Sequence, residues 1–240
     1  MSSLISAHNE AGAPVRWGVW LLPVGGIIPA IVFTLVMLVP GSSGPEGDIS
    51  AAAQQLADPF GLAFGGIFVA ASLSLIFGFQ ALYAWLASGR ARGWALAGAV
   101  LSTCSLGLTI MGWGAFTLAG KIVGDLYISG HTGVGDAIAP LSGGTFGPPI
   151  MAALIGAIIL AALGAIATGA ALWRSRSAPK WVAIVLPLGF VLFSGSAPIV
   201  TPLGGLLMLI GGIPLARTIA GAGLASAAAT GLGGPDIQPV

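Results

Sequence analysis

The sequence predicts an all-α integral membrane bundle of six transmembrane helices, with both termini on the cytoplasmic side. Three observations predict it. Only 6% of the 240 residues are charged and 56% are apolar, against roughly 25% charged in a soluble domain, too few to cover a water-facing surface. The apolar residues gather into six stretches separated by polar joints. The charges then sort by joint. Arg16, Arg90, Arg92, Arg174, Arg176, Lys180 and Arg217 fall on one side of an up-and-down threading. Glu46, Asp48, Asp58, Asp125 and Asp136 fall on the other, with Lys121 the one basic exception. Short Lys/Arg-rich loops stay cytoplasmic, which orients the threading.

Residues 1–16 form a short cytoplasmic lead, residues 17–217 the membrane domain, and residues 218–240 a flexible cytoplasmic tail. The first span, 17–39, has an apolar run of 23 residues, longer than a signal-peptide core of about 7–15. No A-x-A-like site follows it, so it reads as an uncleaved span. Pro23 and Pro29 lie inside it and favour a kink. The outer joint that follows contains a short surface helix that Asp48 or Ser50 would cap. The next spans are 60–87, 94–119 and 150–172. The outer loop 120–148 between the last two is rich in glycine and proline, hence irregular.

Spans five and six, 181–193 and 199–216, are short. Roughly 13–18 residues reach about 20–27 Å, marginal for a hydrocarbon core of about 30 Å. Two crossings and a re-entrant hairpin have the same cytoplasmic ends, so charge does not separate them. The tryptophans support the threading: Trp17, Trp20, Trp85, Trp94, Trp173 and Trp181 all fall at cytoplasmic ends, as an aromatic belt on one leaflet, and only Trp113 lies outward. Arg16-Trp17-x5-Pro23-x-Gly25 is echoed by Lys180-Trp181-x5-Pro187-x-Gly189, which fits either an old hairpin duplication or the shared needs of two inward helix starts.

The spans contain no Asp, Glu, Lys, Arg or His. Intramembrane ionisable groups mark proton relays and ion paths, so their absence argues against a proton-coupled carrier. It equally argues against acid–base or metal-assisted catalysis in the bilayer. No cofactor motif stands out, and the single cysteine, Cys104, builds neither a disulfide nor a paired-thiol metal site. In the outer loop, Asp125, His131 and Asp136 fit no known metal spacing. Gly133-Val134-Gly135-Asp136 matches the short G-x-G-D pattern of intramembrane aspartyl proteases. That pattern arises easily by chance where 39 of 240 residues are glycine, and its chemistry needs facing membrane helices rather than a loop.

What remains is neutral. Gln80 and Ser102 lie about eight residues from the inner ends of their spans, which places them at one depth. On span three, Gly98, Ser102, Ser105, Thr109 and Gly112 recur at alternating steps of four and three, one helix face of small residues. This face reads in two ways, as a small-solute path floored by Gln80 or as a close packing seam. On span four, Ala153, Ala157, Ala161, Ala165 and Gly169 follow the small-xxx-small pattern, a packing face that makes self-association or a partner helix reasonable.

The stretch Gly169-Ala170-Ala171-Leu172-Trp173-Arg174 leading to Pro179-Lys180-Trp181 resembles the cytoplasmic turn of many small uncharacterised bacterial multi-span membrane proteins. That resemblance implies topology and no activity. Arginine exceeds lysine six to two, a bias consistent with a GC-rich bacterial genome. The expectation is therefore a multi-pass plasma-membrane protein, not an enzyme. Its partners would be the lipid bilayer and a second copy or partner membrane protein, and a net charge of +1 gives no sign of nucleic acid.

Overall fold

The structure, a computed structural model, describes residues 12–38, 48–87, 89–142, 147–176, 178–195 and 200–231. Among the described residues the chain is helical apart from short turns, with no strand. Its helices are α1 (Gly12–Val19), α2 (Leu21–Leu38), α3 (Ile49–Ala57), α4 (Pro59–Leu86), α5 (Arg92–Ile128), α6 (Gly135–Ser142), α7 (Pro148–Ser175), α8 (Val182–Ser194) and α9 (Val200–Gly231). A 3-10 turn at Thr132–Val134 precedes α6.

Local chemistry sets several boundaries. The Asp48 carboxylate accepts from the Ser50 and Ala51 backbone N–H groups at 2.9 and 3.2 Å, two of the donors that the first turn of α3 leaves without partners. Those bonds hold the Asp48 carboxyl below its ordinary range. Asp58 caps α4 in the same way, accepting from Phe60 N at 2.8 Å, with Pro59 in the first-turn position where a missing N–H costs nothing. Pro148 and Pro149 open α7 on the same principle. At its far end, Arg176 adopts φ 54°, the left-handed conformation that stops a helix.

Five segments are long and apolar enough to cross a bilayer: Trp17–Leu35, Pro59–Leu86, Arg92–Ile128, Pro148–Ser175 and Val200–Gly221. The sixth apolar helix, α8, has 13 residues and reaches only about 20 Å. The segments expected at 150–172 and 181–193 fall on α7 and α8.

The six apolar helices form a closed ring. α2 packs on α4, α4 on α5, α5 on α7, α7 on α8, α8 on α9, and α9 returns to α2. Across the middle of the ring, aromatic side chains form the bridges. Phe68 of α4 stacks on Phe193 of α8, with centroids 5.5 Å apart and planes 4° from parallel. Below it, Phe79 of α4 meets Phe190 of α8 edge-on at 4.8 Å. Phe33 of α2 and Trp113 of α5 close on Phe68 at 6.3 and 5.5 Å. Phe68, Phe190 and Phe193 are fully buried. Rings of this size bury some 150–250 Å² each, so they fill the axis of the bundle.

One expectation about the ends is corrected. The segment 120–148 was expected to be irregular. Instead α5 continues without a break to Ile128, giving 37 residues and about 55 Å, and α6 follows. The glycines at 120 and 124 do not break the helix because they are a docking surface. A Cβ at Gly124 would stand 2.7 Å from both the Ala53 carbonyl oxygen and the Ala57 nitrogen, so only glycine lets α3 lie this close. With Ala53 and Ile138 wholly buried, α3, the end of α5 and α6 build a cap on the acidic end. At the other end, α9 runs on to Gly231 and so takes in the first residues of the expected tail. Residues 1–11 and 232–240 lie outside the described residues.

Candidate functional site

The face of α5 singled out by its spacing lies against α7. Gly98, Ser102, Ser105, Thr109 and Gly112 are all buried. Steps of four and three average 3.5 residues, close to the 3.6 of a helical turn, so the row stays on one side. A Cβ on Gly98 would meet Thr168 Oγ1 at 2.5 Å and its backbone nitrogen at 3.0 Å. Conversely, a Cβ on Gly164 would meet Ser102 Oγ at 2.8 Å. At the far end a Cβ on Gly112 would touch Leu154 at 3.0 Å. The two helices exchange small residues and lie backbone to backbone.

Two of the three hydroxyls in this seam are spent locally. Ser105 Oγ donates across the seam to the Ala157 carbonyl at 2.8 Å. Thr109 Oγ1 donates back to the Ser105 carbonyl of its own helix at 3.0 Å. Ser102 Oγ is buried with no hydrogen-bond partner, as is Ser72 Oγ on α4. No two of these groups converge on a point where a substrate atom would sit, and no acid, base or thiol accompanies them. A void between α4, α5 and α7, against Phe79, Tyr83, Ala99 and Thr168, measures about 10 Å³, room for about one water.

Gln80 is at the expected depth but on a different side of its helix. It is exposed on the outer flank of the ring, and its Nε2 donates to Thr103 Oγ1 at 3.0 Å rather than to Ser102. Its placement follows from Phe79, which points inward to Phe190; the next residue is turned by about 100°. Thr103 was missed because equal depth was matched to the buried neighbour one position earlier. The sequence carries no signal for it: Ala70, Leu73, Phe77, Gln80 and Ala84 hold one face of α4 by steps of three and four, and only the structure shows that face to be exposed.

The run on α7 divides. Ala157, Ala161 and Ala165 are buried, whereas Ala153 and Gly169 are half-buried. Steps of four advance about 40° beyond a full turn, so a row of five rotates away from its starting face. Ala157 accordingly meets α5, while a Cβ on Gly169 would stand 2.8 Å from the Ala183 carbonyl of α8. One stripe serves two neighbours.

The outer-loop acids do not assemble. Asp125 pairs with Lys121 at 2.5 Å, one turn away on α5, and His131 Nδ1 lies 3.3 Å from Ser129 Oγ. Among the described residues no three His, Cys, Asp or Glu side chains gather as a metal site would require. At the opposite, basic end, Arg174 lies over the Trp94 ring at 5.0 Å and Lys180 over the Trp173 ring at 5.3 Å. These cation–π contacts tie the belt tryptophans to the charges beside them. No family model matches the chain, and no curated protein or solved structure matches it either.

Proposed function

We propose that the protein is a six-span plasma-membrane protein with cytoplasmic termini that acts without enzymatic chemistry, by helix packing with a second copy or a partner membrane protein. The observation that carries this reading is Gln80. Its carboxamide faces outward from the ring, and among the described residues its one hydrogen bond goes to Thr103. Oε1 and the second N–H then face hydrocarbon, where an unpaired polar group costs several kcal/mol. A carboxamide both donates and accepts, so a helix bringing a polar group, including Gln80 of a second copy about a two-fold axis, satisfies both. One turn from Thr103, Gly107 has open space where a side chain would stand, with nothing within 4 Å of an added methyl, which leaves the flank open to close approach.

Cys104 is exposed beside Thr103, which makes it a native reporter. Mild oxidation in membranes should give disulfide-linked dimers that Gln80→Leu reduces severalfold. A protein that stays uncrosslinked and monomeric in mild detergent would reject self-packing on this flank and leave a heterologous partner. The facilitator reading needs a path down the ring, and the bridges from Phe68 to Phe193 and from Phe79 to Phe190 stand across it. The membrane-enzyme reading has no nucleophile–base pair among the described residues to begin from.

The topology has its own test, in a Cys104→Ala background. A membrane-impermeant thiol reagent on intact cells should label Thr132→Cys and not Ser175→Cys; the opposite pattern would invert the threading. Labelling of Ser196→Cys from outside separates a fifth crossing from a re-entrant hairpin.

A further inference from the structure

A groove of about 500 Å³ runs along the outer surface of the ring between α7 and α8. Its floor is Ala165, Gly169, Ala170 and Ala183, and Ile166 and Ile184 stand up as its rims, 65% and 58% exposed. The groove follows from the same small residues that bring the helices together. Gly169 meets the α8 backbone on its inner side, and on the outer side there is no side chain to fill the cleft. All eleven lining residues are apolar.

Its length and its mouth identify an occupant. From Ala162 to Trp173 the groove follows α7 for about 16 Å at 1.5 Å per residue, which is the depth of one leaflet in a hydrocarbon core of about 30 Å. A membrane-crossing helix would need the full depth and a cleft for a rod about 10 Å across. At the mouth Trp173 closes the groove, and the Lys180 ammonium sits over its ring at 5.3 Å. Lys180 has no carboxylate partner among the described residues, and Arg176 is exposed close by in the same turn. An apolar slot one leaflet deep, ending at unpaired cations, is complementary to a lipid whose phosphate bears net negative charge.

We propose that this groove is a binding site for one anionic phospholipid, with an acyl chain along α7 and α8 and its phosphate on Lys180. The chain supplies apolar burial and the headgroup supplies the choice between lipids, since basic pockets between membrane helices favour anionic headgroups. The site is on a different flank from Gln80 and stands independently of the self-packing reading.

Native mass spectrometry on the detergent-purified full chain tests it, with phosphatidylglycerol and phosphatidylcholine of identical acyl chains as probes. The wild-type protein should retain one phosphatidylglycerol about fivefold better than phosphatidylcholine, the factor that one basic residue supplies at an anionic surface. Lys180→Ala, a change at an exposed position, should abolish that preference, while Lys121→Ala at the other end should leave it intact. Ala170→Phe should fill the groove and lower retention of both lipids; Ala162→Leu does the same from the far end should the first variant fold poorly. Equal retention of the two lipids by the wild type would overturn the proposal, and so would an unchanged preference in Lys180→Ala. If the groove-filling variants instead convert a dimer to monomer with lipid retention unaltered, the occupant is a second copy and the lipid site is wrong.

Discussion

Gly205→Leu should unfold the bundle in detergent, at a cost of about 3 kcal/mol or more, the upper range for forcing bulk into a packed site. A Cβ at Gly205 would press on the Gly26 carbonyl oxygen of α2 and stand 2.7 Å from Ala30 Cβ. Its neighbour Gly204 does the same toward α8, against the Phe193 nitrogen and the Gly189 carbonyl. α9 is thus clamped between two backbones, and a backbone has no rotamer by which to step aside. The substitution has to push α2 off α9 and open the ring where it closes. Thermal melting followed by size-exclusion chromatography reads this directly. Gly93→Leu, where a side chain meets nothing within 4 Å, controls for the general effect of adding bulk to a membrane helix. A wild-type melting curve for Gly205→Leu would mean that α2 and α9 are not in contact.

Ser105 should show the next largest difference, and the contrast between two variants is what decides. Ser105→Ala removes one hydrogen bond to the Ala157 carbonyl, and intramembrane bonds of this kind average about 0.6 kcal/mol, a small shift in melting. Ser105→Leu adds bulk where α5 and α7 lie backbone to backbone and should cost about 1–3 kcal/mol. A solute path would reverse the order: Ser105→Ala would alter liposome swelling with the fold intact, and Ser105→Leu would block flux without a stability loss. Normal melting of Ser105→Leu would therefore reject the packing role of the seam.

Depth along the membrane was legible in the sequence, and rotation about each helix only partly so. Charges and tryptophans report where a helix meets the interface, which is why Gln80 and the Ser102–Thr103 level were matched correctly. Which way Gln80 points depends on its neighbours, and nothing in a lipid-facing row of alanine, leucine and phenylalanine distinguishes it from an inward one, because lipid and protein interior are equally apolar. The α5 face was legible because its mixed four-and-three spacing holds one direction. The α7 run was misleading because steps of four do not. The glycines at 120 and 124 looked like breakers for a related reason: composition records that a glycine is present, not that α3 needs it for close approach. The aromatic bridges were not legible at all, since Phe68 and Phe193 are 125 positions apart.

The closed ring has a consequence for the order in which the chain is made. Every other interface in it joins consecutive apolar helices, so each new segment leaving the ribosome finds its partner already in the bilayer. The contact between α2 and α9 is the exception. The first long helix must wait, with its edge at Pro23, Gly26 and Ala30 uncovered, until α9 has been synthesised. Long-range closure is the slow class of folding step, and here it is also the last. A nascent protein that stalls before α9 therefore displays that edge to the lipid, and α9 works as the latch of the ring.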